Sequence, residues 1–207
     1  MIKPVGSDTL KPLFVYDSAK HDALSHDAES LPSLLISSQA AGNAVMMGAG
    51  YFSPLPGFMN VADAMGAAEK MTLSDGSFFP VPVMCLVESA EAIGGAKRIA
   101  LRDPNVEGNP VLAVMQVEAI EEVSDEQMQV MTEKVYRTSD PEHPGVAAFN
   151  SQGRVCVSGP IEVLNFSYFI TDFPDTFRTA VEIRNEIAER GWKKVVAFQT
   201  RNPMHLA

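Results

Sequence analysis

The pattern of apolar residues changes near residue 172, and this change constrains the fold more than any other feature of the chain. Up to that point, short apolar runs alternate with turns that contain Gly, Pro and Asp. Beyond it, Thr179 and Glu182 have the spacing of a capping box and Gly191 is suited to close a helix, so residues 180–190 are predicted to be helical. This helix leads into the nearly continuous apolar run 195–198. Such a run is typical of a strand buried on both faces of a parallel sheet. The sequence therefore predicts a mixed α+β chain, with a small β-rich domain over residues 1–172, most simply a barrel, and the start of an α/β domain over residues 173–207.

Periodicity and capping residues predict the elements of the first domain. Asn60 and Ser124 are suited to cap helices, and the alternating apolar residues of 81–87 indicate a strand with one buried face. The acidic run 118–126 is interpreted as a solvated turn and the beginning of a helix. The predicted order is an irregular segment to residue 30, a short strand within 31–36, helices over 37–47 and 61–70, strands over 78–88, 98–102 and 110–118, a helix from 125, and strands over 154–157 and 161–164.

The net charge of the chain limits the classes of molecule that it is expected to bind. The 16 Lys and Arg against 26 Asp and Glu give a formal charge of −10, which disfavours non-specific binding to nucleic acid or to an anionic membrane. A local cluster of donors can still bind a small anion. The chain has neither a GxGxxG nor a Walker A sequence, so a generic dinucleotide or P-loop site is not predicted. No metal site and no organic cofactor are predicted.

The positions of the cysteines and the hydropathy of the chain indicate the cellular compartment of the protein. Cys85 and Cys156 lie in separate apolar segments without a CxxC or CxxH pair, and we expect buried, reduced thiols rather than a disulfide. The N-terminus lacks the apolar run of a signal peptide, and no stretch reaches the ~20 apolar residues that span a bilayer. The expectation is a cytoplasmic protein that does not contact a membrane. His21 and His26 are expected at the surface, and His143 in a hydrogen-bonded turn.

The sequence predicts that the functional site lies in the polar segment 199–205, which follows the apolar run 195–198. Ligands of open α/β sheets bind at the carboxyl ends of strands. Pro203 is suited to the first position of a helix, whose free amides attract anions. The guanidinium of Arg201 matches sulfate or phosphate oxygens in pairs. The segment therefore predicts an anion-binding turn; the alternative is a solvated loop in which Asn202 caps a helix.

Several ordered motifs over roughly residues 30–207 resemble the ATP sulfurylase (sulfate adenylyltransferase) family. The segment 199–205, QTRNPMH, is similar to the first part of that family's QxRNPxHxxH signature. The segment 52–59, FSPLPGFM, and the segment 73–80, LSDGSFFP, resemble two further family motifs. Residues 98–103, 143–146 and 191–198 also fit the family pattern.

The resemblance implies a fold, a reaction and a set of site residues. The fold would be an N-terminal PUA-like β-barrel followed by the first helix and strand of a Rossmann-like nucleotidyltransferase domain. ATP and sulfate would react to give adenylyl sulfate and pyrophosphate, with Mg²⁺ accompanying ATP, in a homo-oligomer. By that resemblance Thr200, Arg201 and Asn202 form the catalytic core, Gln199 and Arg201 bind sulfate, and ATP contacts Gln199, Thr200, Arg201, Asn202 and His205.

The sequence also departs from the family pattern. The second histidine of HxxH would fall just after residue 207, and Val5 stands where many members have a histidine. We therefore expect the 207 residues alone to be inactive. The alternative is a PUA-like binding or oligomerisation module without catalysis of its own; RNA binding by such a module is disfavoured by the negative charge.

Overall fold

The computed structural model of the protein describes residues 3–4 and 8–200. Its helices are α1 Ser18–Ala28, α2 Ser38–Gly48, α3 Val61–Lys70, α4 Asp125–Tyr136, α5 Pro144–Asn150, α6 Phe169–Asp172 and α7 Ala180–Glu189, with one 3₁₀ turn at Glu91–Ile93. Its strands are β1 Ser33–Leu35, β2 Gly57–Phe58, β3 Leu86–Val87, β4 Arg98–Arg102, β5 Val111–Gln116, β6 Ala119–Glu122 and β7 Val155–Val163. No helix in this described part is both long and apolar enough to cross a bilayer.

Strand β7 organises the sheet, because four other strands pair with it antiparallel. Its first half, Val155–Ser158, pairs with β3 and with β6. Its second half pairs with β2 and with β5, and β5 continues through β4 to β1. The neighbours on both edges of β7 thus change near Gly159, and the sheet curls there into a half-barrel.

Two glycines allow the backbones to approach at the bend. Gly159 has φ +143°, and a Cβ on it would lie 2.0 Å from the carbonyl oxygen of Gln116. A Cβ on Gly57 would lie 2.1 Å from the carbonyl oxygen of Gly159. Neither distance is possible for a real side chain, so both positions require glycine.

The main core lies between the curled sheet and helices α2 and α3. Helix α2 packs against the end of β7, where Gly48 lies close enough to Val163 that an added Cβ would be 2.8 Å from its side chain. The fully buried large side chains from the sheet include Ile99, Leu101, Leu112 and Met115. A smaller cluster, which contains Leu24, Val114 and Leu164, fixes α1 to the other side of the sheet.

The predicted helix starts are confirmed in atomic detail. The side chain of Ser37 accepts a hydrogen bond from the amide of Ala40, and that of Asn60 accepts one from Asp63. Ser124 and Gln127 form the complete capping box at the start of α4. The predicted strand pair 98–102 and 110–118 is also present, as β4 and β5.

The prediction of an irregular N-terminal segment is wrong, because α1 spans Ser18–Ala28. Asp17 caps this helix by accepting a hydrogen bond from the amide of Lys20. Only Leu24 and Ala28 of the helix are buried, and its other positions are polar except for Ala19 and Ala23. The apolar stripe is too narrow to be recognised as helical periodicity.

Three strand predictions also need correction. Over 78–88 only Leu86 and Val87 pair as a strand, because Pro80 and Pro82 have no amide to donate to a neighbouring strand. The predicted alternation of buried and exposed residues is also absent, since every residue of 83–87 is buried. The two strands predicted over 154–157 and 161–164 are one strand, β7, bent at Gly159. The acidic run 118–126 was interpreted as a solvated turn and the beginning of a helix, but its residues 119–122 form strand β6, which pairs with β7.

The strand predicted at 195–198 is not formed in the described residues. Val196 is 91% exposed and Phe198 82% exposed, and residues 194–200 have no regular structure. A strand requires a neighbouring backbone to bond its amides and carbonyls, and the described part of the chain offers none at this place. Likewise, the predicted barrel is a half-barrel: the path runs from β1 to β2 without a bond between those two strands among the described residues.

We expect replacement of Gly159 by alanine to destabilise the fold by about 3 kcal/mol or more, since the new Cβ meets the Gln116 carbonyl and the φ value is strained. Urea unfolding followed by circular dichroism measures the loss. The control is Gly42→Ala in α2, where no atom lies within 4 Å of the added Cβ. That change should stabilise the protein by about 0.5–1 kcal/mol. Equal stability of the two variants would contradict the proposed role of the bend.

Candidate functional site

The structure describes two of the five predicted site residues. Gln199 and Thr200 are exposed and lie in the segment without regular structure. Arg201, Asn202 and His205 lie outside the described residues. The arrangement of the five is therefore a prediction from the sequence, and the structure contributes the elements that lead to them.

Helix α7 leads to this segment, and its first turn is fixed by a complete capping box. The hydroxyl of Thr179 accepts a hydrogen bond from the amide of Glu182 at 3.3 Å, and the carboxylate of Glu182 accepts one from the amide of Thr179 at 2.7 Å. The backbone hydrogen bond from Thr179 is the main reason that the pKa of Glu182 lies below its ordinary value of 4.5. The capping box was predicted from Thr179 and Glu182, and it is confirmed.

Two hydrogen bonds from the body of the protein hold the start of α7. The hydroxyl of Tyr51 donates to the carbonyl of Arg178 at 2.7 Å. The amide of Ala180 donates to the carbonyl of Ala49 at 2.9 Å. These two contacts are called the α7 clamp below.

The far end of α7 turns the chain toward Gln199. Gly191 adopts φ +64°, which closes the helix as predicted, and the amide of Trp192 donates to the carbonyl of Ile187 at 3.2 Å. The guanidinium carbon of Arg190 lies 4.9 Å from the ring centroid of Trp192, a cation–π distance. The exit from the helix is therefore ordered through Trp192.

An open groove of about 800 Å³ runs beside α7. Its apolar lining includes Tyr51, Ile183, Ile187 and Trp192. Trp192 is 53% exposed. The apolar face of α7 and the apolar residues after it are thus on the surface of the described structure.

The other candidate residues have structural roles. Cys85 and Cys156 are free and buried, as predicted, and burial raises the pKa of each thiol to about 12. His143 caps α5 through its Nδ1 atom, 3.4 Å from the amide of Val146. His26 is exposed as expected, whereas the expectation for His21 is wrong: it is half-buried and its Nε2 atom lies 2.7 Å from the carbonyl oxygen of Leu164. No group of three or more His, Cys, Asp or Glu side chains within the described residues is arranged to hold a metal ion.

Sequence analysis missed Tyr51. This residue follows the glycines that end α2, just before the segment 52–59. The available signal was its position beside loop-forming sequence, which does not distinguish a contact residue from a solvated one. Its partner, Arg178, is more than 120 residues away.

Comparisons with known proteins divide the chain into two matched parts. A model of the PUA-like domain family matches residues 2–166, and a model of the ATP-sulfurylase family matches residues 174–207. A hexameric APS kinase from Thiobacillus denitrificans has a similar solved structure, with a TM-score of 0.72 and 29% identity. The similarity covers 99% of this chain and 35% of that chain.

Curated relatives match the chain over its whole length. Proteins named sulfate adenylyltransferase from Allochromatium vinosum and the Riftia pachyptila sulfur-oxidizing endosymbiont are 75% and 78% identical to it over 207 residues. One from Alcanivorax borkumensis is 60% identical. The matches cover 52%, 47% and 52% of these relatives, so the chain spans about half of their length.

The lowered pKa of Glu182 predicts a pH-dependent contribution to stability. The ionised carboxylate accepts the capping hydrogen bonds, so its stabilisation is present above the ordinary pKa of 4.5 and is lost as pH falls through the lower folded-state pKa. We expect Glu182→Gln to lower the melting temperature at neutral pH, and the difference from the unmodified protein to vanish in acid. Thermal unfolding from about pH 7 down to about pH 3 measures this. Glu189→Gln, which removes the same charge from the same helix, should not show it; a loss independent of pH would contradict the assignment.

Proposed function

Because the chain belongs to the PUA-like domain family and carries a segment of the ATP-sulfurylase family, we propose that it forms the N-terminal half of a sulfate adenylyltransferase. The observation that carries the proposal is the 75–78% identity to proteins of that name over all 207 residues. This includes the segment 199–205, in which the candidate site lies. Residues 1–172 would be the PUA-like domain, and residues 173–207 the start of a Rossmann-like nucleotidyltransferase domain.

The proposed reaction joins ATP and sulfate. A sulfate oxygen forms a bond to the α-phosphorus of ATP. At the same time, the bond between that phosphorus and the oxygen that bridges it to the β-phosphorus breaks. Pyrophosphate leaves with the electron pair of the broken bond. The products are adenylyl sulfate and pyrophosphate, and the reverse reaction uses the same site.

The chemistry requires alignment and neutralisation of charge more than a base. Sulfate is already fully ionised at neutral pH and is a weak nucleophile, so a general base would have no proton to remove. The barrier comes from bringing two anions into line and from the charge on departing pyrophosphate. A turn that presents several hydrogen-bond donors close together can align the two anions and can also stabilise the charge on the departing pyrophosphate.

The proposed residue roles are those that the family resemblance implies, and the chemistry of the side chains suits them. The guanidinium of Arg201 would bind two sulfate oxygens at once, with Gln199 as a neutral second donor. Thr200 and Asn202 would complete the catalytic turn and contact ATP. His205 would contact the phosphates of ATP.

Mg²⁺ is proposed as the companion of ATP, coordinated by its phosphate oxygens. The described residues do not fit a resident metal site, since they contain no suitable group of His, Cys, Asp or Glu side chains. No step above is therefore routed through the ion. We also propose that the full-length protein is a homo-oligomer, which is supported by the hexameric state named for the structurally similar APS kinase.

A chimera tests the proposal. Residues 1–207 of this chain replace the matching residues of the Allochromatium vinosum relative, and formation of adenylyl sulfate is measured with pyrophosphatase present. We expect activity comparable to that of the relative itself. Absence of activity in the chimera, when the relative is active in the same assay, would refute the proposed function.

Arg201→Ala in the chimera should reduce kcat by about a hundredfold, because one preorganised donor to the reacting anion is lost. The melting temperature should not change, since the role proposed for Arg201 is to bind a substrate anion and not to support the fold. The matched control is Arg98→Ala, which removes the same charge from an exposed position on β4. Unchanged synthesis by Arg201→Ala would overturn the role of this residue.

A further inference from the structure

We propose that Tyr51 is a positioning residue for the anion-binding turn: through the α7 clamp it fixes the helix that leads to the turn. The inference rests on the proposed function for its catalytic consequence. Its structural part stands on the two hydrogen bonds that join the body of the protein to Arg178 and Ala180.

The clamp acts on both sides of the capping residue Thr179. The carbonyl of Arg178 accepts a hydrogen bond from Tyr51, and the amide of Ala180 donates one to Ala49. Ala180 is only 7% exposed, so the second bond is shielded from competing water. Two attachments so close together restrict tilting and sliding of the first turn of the helix.

Tyr51 extends from well-anchored backbone. It follows the end of α2, and its amide donates to the carbonyl of Met46 at 2.9 Å. The clamp therefore connects α7 to the same place where α2 packs on β7.

The hydroxyl group of Tyr51, rather than its ring, accounts for the contact. Tyr51 is 43% exposed, so its ring is not a core-filling side chain. Partial burial, with the nearby carboxylate of Glu182, raises the pKa of Tyr51 above 10. Its hydroxyl thus keeps its proton at neutral pH and can donate it to the Arg178 carbonyl.

The geometry makes the site sensitive to this attachment. Helix α7 has ten residues, a length of about 15 Å. A tilt of about 10° at its start would move its far end by about 3 Å. Since a displacement of about 1 Å can reduce a rate by about a hundredfold, loss of the clamp should affect turnover.

The first experiment uses the 207-residue chain and needs no activity. Amide hydrogen exchange is measured by NMR in Tyr51→Phe, with Tyr136→Phe as the matched control. Tyr136 is also partly exposed, and its ring contacts His143 and Phe149. We expect exchange of the Ala180 amide to become at least about tenfold faster in Tyr51→Phe only, while amides of β5 stay unchanged. The anisotropy of Trp192, the one tryptophan of the chain, should fall in parallel. Unchanged exchange and anisotropy would overturn the clamp.

The second experiment places the same variants in the chimera. We expect Tyr51→Phe to lose about tenfold in kcat, while the KM for sulfate stays within about twofold, because the variant leaves the sulfate-binding side chains in place. A general loss of stability would instead lower the melting temperature and the active fraction. Unchanged kcat despite faster exchange would show that the clamp holds the helix without positioning the turn, and would overturn the proposal. If the unmodified chimera is inactive, the proposed function fails, and exchange and Trp192 anisotropy still decide whether Tyr51 positions the helix and its exit.

Discussion

The bend of β7 at Gly159 is the constraint on which the rest of the structure depends. The neighbours of β7 change along its length: β3 and β6 pair with its first half, and β2 and β5 pair with its second half. The positive φ of Gly159 and the absence of a Cβ let the backbones of Gly57 and Gln116 approach the bend. The half-barrel and the position of α2 follow from that arrangement.

The same region connects the half-barrel to α7. Helix α2 packs on β7, and the two residues Ala49 and Tyr51 follow the end of α2. The start of α7 is attached to these two residues by two hydrogen bonds, and the helix directs the chain toward Gln199. Under the proposals above, the PUA-like part would influence chemistry at a turn to which it contributes no proposed catalytic residue.

Local signals in the sequence predicted many of the elements correctly. Asn60, Ser124 and Thr179 cap the helices at the expected positions, because a cap depends on residues only three positions apart. The pair β4 and β5 was also predictable, since the turn between them is short. Helix α1 was missed because only two of its side chains are buried. The strand at 195–198 was predicted from composition, but a strand forms only when a second backbone bonds it.

The sequence by itself determined the family, the helix caps and the candidate residues Gln199, Thr200, Arg201, Asn202 and His205, because these depend on residue types at fixed short spacings. Only the tertiary structure decided that β7 is one bent strand and that Tyr51 is attached to the start of α7. The physical reason is that such contacts join residues far apart in the chain. Their bonding depends on where the backbone places them, which no local pattern records.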